Sequence, residues 1–260
     1  MSERRDLVLL DRRDRVAVVT LNRPERRNAL SSAMLVALAT RLAEADADAS
    51  VDVVVLTGAD PAFCAGLDLA ELAAGGHTIR PTDGPPWPSL AKPVIGAVNG
   101  PAVTGGLEVA LACDFLIASD RATFADTHTR VGVVPFWGLS VRLPQAVGLR
   151  RAREMSLTGN FIDADRAAAW GLVNRVVPHH DLLPTALAVA ADVVSADQPA
   201  TRAMVAAYAA FAGGGPDAEA AEVAAADRFL GGGIDPAVID GRRAAVLARS
   251  RQQRGLPSGR

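Results

Sequence analysis

The sequence is poor in the residues that build disulfide frameworks and metal sites. Its 260 residues include two cysteines and four histidines. Cys64 and Cys113 make no disulfide framework and no zinc site, and we interpret them as small buried side chains. His179 and His180 are adjacent and lack further ligands at metal spacing, so no metal site is predicted.

The chain also lacks an excess of either charge and a long apolar run. Its formal net charge is −2, with basic residues scattered among acidic ones, which gives no electrostatic basis for binding nucleic acid or an anionic membrane. The opening MSERRDLVLLDRRD has no apolar segment of a secretory signal. The stretch AMVAAYAAFAGGGP is too short to span a bilayer. The sequence therefore predicts a folded cytoplasmic protein without nucleic-acid or membrane partners.

Three familiar motifs are absent as well. No GxGxxG segment follows a predicted strand, and WGLSVR is not the GxSxG elbow of a hydrolase. Gly100 and Gly105 have the spacing of a phosphate-binding loop, but Gly106 and Leu107 occupy the positions of its Lys and its Ser or Thr. The usual nucleotide and serine-nucleophile sites are thus not indicated.

The first half of the chain alternates strands with helices, which predicts an α/β fold with parallel strands. A capping box of Asp68 and Glu71 opens one of the helices. After about Pro135 the pattern is helical and rich in Ala, from helix propensity or from close packing at a subunit interface. We predict an α/β core over residues 1–195 and a C-terminal helical region over residues 196–260.

Apolar periodicity and turn residues predict the positions of the strands and helices. Strands are predicted at 6–11, 15–22, 51–58, 93–100 and 114–120. Helices are predicted at 31–48, with Ser31 or Ser32 as the cap, and at 105–114, 151–159, 164–171, 181–197, 199–213, 217–230 and 236–253.

Two glycine turns stand at the starts of predicted helices. Ala65 and Gly66 precede the helix that begins near Asp68, and Gly105 and Gly106 open another. Glycine lets a backbone N–H approach a ligand closely, and the helix dipole adds positive character there. Two such turns facing each other would supply two donors to one developing oxyanion. Ordinary glycine turns with helix caps are the alternative.

Two titratable residues are candidates for proton transfer. Glu108 lies in the otherwise apolar run GLEVALAC, and a carboxylate is rarely buried without a partner or a purpose. It is either a general base or a buried structural carboxylate. His128 lies in FADTHTRVGVVP, where it is either a proton carrier or a polar loop residue.

Five ordered segments resemble the enoyl-CoA hydratase/isomerase (crotonase) superfamily. They are LNRPERRNAL, VVVLTGADPAFCAGLDL, KPVIGAVNGPAVTGGLEVALACDFLIAS, FADTHTRVGVVP and LTGNFIDADRAAAWGLVNRVV. The resemblance implies a crotonase-like spiral of strand–strand–helix repeats with a C-terminal helical trimerisation region, and hence a homotrimer or a hexamer. It also implies an acyl-CoA thioester substrate, with coenzyme A arriving as part of that substrate and no separate cofactor.

The resemblance assigns an oxyanion hole to two backbone amides. The donors are the N–H groups of Leu67 in CAGLD and of Gly105 in VTGGLE, which would stabilise a thioester enolate. Further substrate contacts are expected at Ala65, Gly66, Asp68 and Gly106. Arg26 and Arg27 in RPERRNAL are expected to contact CoA phosphates, because guanidinium pairs well with phosphate. A solvated turn is the alternative for these two arginines.

The resemblance places Glu108 at the first of two catalytic glutamates, but the second position falls on His128, in register with Gly132 and Pro135. In one role His128 is the acid of a hydratase whose base is Glu108, which is the function we predict. In another it is the single base of an enoyl-CoA isomerase. In a third, acid–base catalysis is lost, leaving another lyase or hydrolase reaction or acyl-CoA binding alone.

The residues around His128 are not predicted to take part in catalysis. Phe136 and Trp137 replace small residues of the family, so Trp137 is expected either to reshape the acyl pocket or to serve local packing. The polar neighbours are candidates to line the pocket, but we favour surface or packing roles for them; they are Asp126, Thr127, Thr129, Arg130 and Ser140.

Overall fold

A six-stranded sheet forms the centre of the molecule. The computed structural model describes residues 6–76, 86–212 and 236–253. Its strands are β1 (Val8–Arg13), β2 (Val16–Leu21), β3 (Val53–Gly58), β4 (Val94–Val98), β5 (Ala102–Val103), β6 (Phe115–Ser119), β7 (Thr123–Ala125), β8 (Ile162–Asp163) and β9 (Arg175–Val177). The large sheet has the order β1-β2-β3-β4-β6-β9. Its first pair is antiparallel and every later pair is parallel.

A second, three-stranded sheet has the order β5-β7-β8. The pairing of β5 with β7 is parallel and sets Val103 opposite Ala125. The pairing of β7 with β8 is antiparallel. None of these three short strands was predicted from the sequence, and the β5–β7 register joins two segments that carry candidate site residues.

Helices cover the sheets and extend beyond them. They are α1 (Ser32–Ala47), α2 (Leu69–Ala73), α3 (Gly105–Leu111), α4 (His128–Val131), α5 (Leu139–Val147), α6 (Leu149–Thr158), α7 (Ala164–Trp170), α8 (Leu182–Val194), α9 (Gln198–Ala212) and α10 (Pro236–Gln253). The helix predicted at 217–230 lies outside the described residues. The division at residue 195 stays a prediction. Among the described helices, none has the length and apolar character needed to cross a membrane.

Both faces of the large sheet are buried along β2 and β3, which explains the continuous apolar runs of these two strands. Side chains alternate between the faces along each strand. One face packs on α8 through Val16, Val18, Val53, Val55, Ile95, Leu182, Ala186 and Ala190. The other face packs in the larger core with α1, through Ala17, Val19, Val54, Leu56, Leu38 and Leu42.

The predicted caps form with one difference. Ser31 caps α1 by accepting a hydrogen bond from the Met34 amide. Asp68 caps α2 by accepting hydrogen bonds from the amides of Ala70 and Glu71. The reciprocal half of the capping box is absent, because the Glu71 carboxylate instead accepts from the Ser32 amide at 3.2 Å. Glu71 thus satisfies an N–H at the start of α1 and ties the two helices together.

Candidate active site

A cavity of about 310 Å³ lies between the loop after β2, helix α2, helix α4 and helix α10. Its wall is largely apolar and includes Leu67, Leu72, Val131, Val134, Phe161 and Leu247. Arg26 and Arg27 also line it, and both are exposed, so they mark the side that opens to solvent. Arg243 of α10 adds a third guanidinium. An apolar hollow with cationic groups at its opening suits an acyl chain that carries an anionic group.

Two backbone amides lie side by side near this cavity. Each follows a residue with positive φ: Leu67 follows Gly66, with φ of 92°, and Gly105 follows Thr104, with φ of 56°. A Cβ added at Gly105 would lie 3.5 Å from the Leu67 nitrogen. In the part of the chain that the structure describes, neither N–H donates to a backbone acceptor. Adjacent free donors of this kind can stabilise an oxyanion.

The unusual backbone of Thr104 is held by residues next to His128. The Thr104 amide donates to the Ala125 carbonyl at 2.8 Å. Its hydroxyl lies 2.5 Å from the Thr127 hydroxyl and accepts from the Thr127 amide at 3.1 Å. A non-glycine residue in this conformation is strained and persists only where its surroundings fix it. These contacts therefore fix the Gly105 amide relative to the segment that bears His128.

Glu108 is one turn into α3 and only 1% exposed. Its Oε1 accepts a hydrogen bond from the Trp137 amide at 2.8 Å. Its Oε2 lies 3.4 Å from Nε2 of His128. The carboxylate therefore has one partner that fixes its orientation and one that can exchange a proton with it.

His128 is the first residue of α4 and is only 4% exposed. Its Nδ1 lies 2.6 Å from Oδ1 of Asp126. Burial alone would lower the pKa of His128, but hydrogen bonds and charge from Asp126 and Glu108 outweigh it and raise the pKa to about 10. Burial would likewise raise the pKa of Asp126, but the hydrogen bond from His128 and its charge lower it. The ring of His128 thus lies between two carboxyl groups, and both raise its pKa.

Comparison with known proteins decides the family. The model of the family described as Enoyl-CoA hydratase/isomerase matches residues 11–227. The chain belongs to the enoyl-CoA hydratase/isomerase family. It is similar to a solved enoyl-CoA hydratase from Mycobacterium tuberculosis H37Rv, with 54% identity, a TM-score of 0.82, and 87% of this chain and 100% of that chain covered.

Two further proteins that are similar to this chain are informative. One, from Arabidopsis thaliana, is named "Probable enoyl-CoA hydratase 1, peroxisomal"; it is 44% identical over 187 residues, which cover 70% of this chain and 71% of that protein. The other is a solved monofunctional enoyl CoA isomerase from M. smegmatis, with 37% identity, a TM-score of 0.69, and 83% and 99% of the two chains covered. The similarity to solved enoyl-CoA hydratases confirms the predicted crotonase fold.

The structure gathers most of the predicted site residues of this family member at one cavity. Those that line it are Arg26, Arg27, Ala65, Leu67, Asp68 and His128. Glu108, Gly66, Gly105 and Gly106 lie next to those residues but are not part of the wall. Asp68 is engaged in an ion pair with Arg23 at 2.6 Å as well as in capping α2. The binding roles of these residues stay predictions.

Trp137 does not line the cavity, although Phe136 does. The two rings pack edge to face with their centroids 5.2 Å apart. Trp137 is buried, and its backbone amide orients Glu108. A role of Trp137 in shaping the acyl pocket stays a prediction.

Sequence reasoning missed the role of Asp126, for which a surface or packing role was predicted. Asp126 is buried and binds the His128 ring. The available signal was its position two residues before His128, because aspartate often accepts a hydrogen bond from the amide two residues on. That bond is present at 3.1 Å. Thr127 lines the cavity, which is the alternative that we favoured less from the sequence.

Proposed function

We propose that this protein is an enoyl-CoA hydratase, which adds water across the 2,3 double bond of an enoyl-CoA. The observation on which the proposal depends is the Glu108–His128 pair, with 3.4 Å between Oε2 and Nε2, beside the adjacent amides of Leu67 and Gly105. Membership of the family and the relatives named as hydratases support the proposal. The substrate brings coenzyme A with it, and no separate cofactor takes part.

Each step of the proposed reaction is assigned to residues of the site. The amides of Leu67 and Gly105 bind the thioester oxygen and stabilise negative charge there. Glu108 takes a proton from water while the water oxygen bonds to C3, and the electron pair of the double bond moves to the thioester enolate. His128 then gives its Nε2 proton to C2 as the enolate collapses. Transfer of the proton from Glu108 to the neutral His128 restores the resting state.

The CoA part of the substrate would lie at the open side of the cavity. Arg26, Arg27 and Arg243 line the cavity, and the first two are exposed. Guanidinium groups bind phosphate oxygens through charge-assisted hydrogen bonds, so these three are the proposed phosphate contacts.

Turnover of an enoyl-CoA panel tests the proposal. Purified protein is incubated with crotonyl-CoA and with longer 2-enoyl- and 3-enoyl-CoAs, while enoyl absorbance and products are followed. We expect 3-hydroxyacyl-CoA, with kcat about 10²- to 10⁴-fold lower in Glu108→Gln and His128→Gln. His180→Gln, which changes a histidine whose side chain is 82% exposed, should keep the wild-type rate. Binding without turnover across the panel would leave only an acyl-CoA-binding protein.

A second candidate is an enoyl-CoA isomerase, which is favoured by one observation. His128 lines the cavity and Glu108 does not, as a single proton carrier between C2 and C4 would require. An isomerase would convert 3-enoyl- to 2-enoyl-CoA without forming a hydroxyacyl product. It would lose activity in His128→Gln and keep most of it in Glu108→Gln, whereas a hydratase loses activity in both.

We also propose that the protein is a homotrimer or a hexamer. Met204 and Tyr208, one turn apart on α9, are 52% and 66% exposed, as expected of a helix face that another copy covers. Light scattering should give three or six times the chain mass of 26.9 kDa. Tyr208→Glu should reduce that mass, and a wild-type monomer would contradict the proposal. Localisation in the cytoplasm stays a prediction.

A further inference from the structure

The aspartate beside His128 makes two contacts with that one residue. Oδ1 of Asp126 accepts from the His128 backbone amide at 3.1 Å and lies 2.6 Å from the ring Nδ1. An ionised carboxylate is an acceptor only, so Nδ1 must carry a hydrogen. The orientation of the ring is thereby fixed, with Nε2 on the side away from Asp126.

On that other side, Nε2 faces a second carboxylate. Oε2 of Glu108 lies 3.4 Å away, and its other oxygen is occupied by the Trp137 amide. If Nδ1 held the only ring hydrogen, a lone pair on Nε2 would face the lone pairs of the Glu108 carboxylate. A hydrogen on both nitrogens removes this repulsion and gives each carboxylate a donor.

We propose that Asp126 is a positioning residue that holds His128 as an imidazolium, with its transferable proton on Nε2 between Glu108 and the cavity. The inference rests on the proposed proton transfer at this site and specifies the state from which it starts. The Nε2–H bond breaks as the C2–H bond forms, and Asp126 keeps its ionised form throughout. The 3.4 Å contact then returns the proton from Glu108 to Nε2.

Other charged groups also lie around the cavity. On the α2 side, Asp68 is paired with Arg23 at 2.6 Å. On the α10 side, Arg243 lines the cavity. The pKa of His128 is raised by Asp126 and Glu108 alone among the described charged groups, so replacing Asp126 should change its protonation measurably.

Nitrogen NMR of the substrate-free protein tests this. With ¹⁵N-histidine, four ring systems are present, and His128 is identified as the pair of signals lost in His128→Gln. We expect both His128 nitrogens to remain protonated through pH 8 in the wild type. In Asp126→Asn, which keeps the shape but not the charge, the pH at which half of the His128 rings have lost a proton should fall by at least about one unit. Asp126→Glu should return this midpoint most of the way to the wild-type value.

Enzyme kinetics supply the second measurement. If the Asp126→Asn midpoint falls to about 7, then kcat at pH 8 falls about tenfold, recovers at pH 6 and leaves KM unchanged. A residue that served folding alone would lower activity equally at all pH values. A neutral His128 at pH 7 in the wild type, or an unchanged midpoint in a folded Asp126→Asn, overturns the inference.

The two measurements separate this inference from the proposed function. An imidazolium that depends on Asp126 in a protein with no turnover would sustain the positioning role and remove the hydratase. A hydratase with neutral His128 would sustain the proposed function and overturn the positioning role of Asp126. Should Asp126→Asn fail to fold, the wild-type titration and Asp126→Glu still decide the question.

Discussion

At the scale of single residues, the site is organised by charge. The proposed imidazolium of His128 is buried between Asp126 and Glu108, and each carboxyl group faces one of its ring nitrogens. Two buried carboxylates without this cation would repel each other and lose a hydrogen-bond donor each. His128 therefore contributes to folding as well as to the proposed chemistry.

This charge makes stability depend on pH. The pKa of His128 is about 10 in the folded protein against an ordinary 6.5. A raised pKa contributes stability that is complete below pH 6.5 and is lost as pH rises toward 10. We expect the urea concentration at the midpoint of unfolding to decrease in the wild type as the pH is raised from 6.5 to 8.5. The decrease should be smaller in His128→Gln.

The pH range of 6.5 to 8.5 ends below the pH at which the two cysteine thiols affect stability. Burial raises the pKa of Cys64 to about 12 and also raises that of Cys113, from an ordinary 9.0. Their stabilising contribution is lost only above about pH 9. His180→Gln should follow the wild type. An equal fall of the midpoint in wild type and His128→Gln would contradict the expectation.

Two adjacent glycines should respond in opposite ways to the same substitution. A Cβ at Gly106 would lie 2.1 Å from the Cys64 carbonyl oxygen, so Gly106→Ala should fail to fold or lose several kcal/mol of stability. A Cβ at Gly105 meets its nearest neighbours at 3.4 Å, from Trp137, and 3.5 Å, from the Leu67 nitrogen. Gly105→Ala should fold.

The methyl group of Gly105→Ala would nevertheless stand beside the two amides. We expect kcat/KM to fall about a hundredfold or more, as for loss of an oxyanion donor, with little change in melting temperature. Wild-type kcat/KM in Gly105→Ala would show that these amides do not bind the thioester oxygen. Thermal unfolding and initial rates on crotonyl-CoA measure both effects.

At the scale of elements, the short strands β5 and β7 bring the two halves of the site together. Their pairing sets Val103 beside Ala125, so the next residues, Thr104 and Asp126, lead into the Gly105 amide and His128 respectively. Without this register, the oxyanion donors and the proton carrier would belong to separate segments of chain.

The hydroxyl contact between Thr104 and Thr127 is expected to hold that arrangement. Thr127→Val keeps the shape of the side chain and removes a 2.5 Å hydrogen bond. We expect a loss of about 1 kcal/mol in stability and a fall in kcat/KM of about tenfold as the Gly105 amide loses its fixed direction. Thr129→Val, at an exposed hydroxyl bound to the Ser156 carbonyl, is the control and should leave kcat/KM unchanged. A fall of kcat/KM in both variants would argue against a specific role of Thr127.

The sequence predicted long elements better than short ones. The strands at 16–21 and 53–58 and the helix α1 follow clear apolar periodicity, and the structure contains them. Strands β5, β7 and β8 span two or three residues, too few for a pattern, and exist because of their partners. The Trp137 amide that orients Glu108 belongs to the backbone, so no residue type could reveal it. The position of Asp126, two residues before His128, was a signal in the sequence. Only the folded chain shows that its carboxylate contacts the His128 ring.

At the scale of the whole molecule, α10 closes the cavity with residues far along the chain. Leu247 and Arg243 both line the wall. Leu247→Arg should place a charge against the apolar hollow and raise KM for enoyl-CoA about tenfold or more, with a smaller effect on kcat. Ala248→Arg, next to it and exposed, is the matched control. Equal KM values in both variants would show that α10 does not cover the bound substrate.

The apolar cavity also has a thermodynamic consequence. At roughly 30 Å³ per water molecule, its 310 Å³ has room for on the order of ten waters, most of them against hydrocarbon. An acyl chain that enters displaces this water and buries apolar surface, which gives association a negative heat-capacity change. Calorimetry of acyl-CoA binding at several temperatures should therefore show enthalpies that become more favourable on heating. Free coenzyme A, which lacks the acyl chain, should show a much weaker dependence.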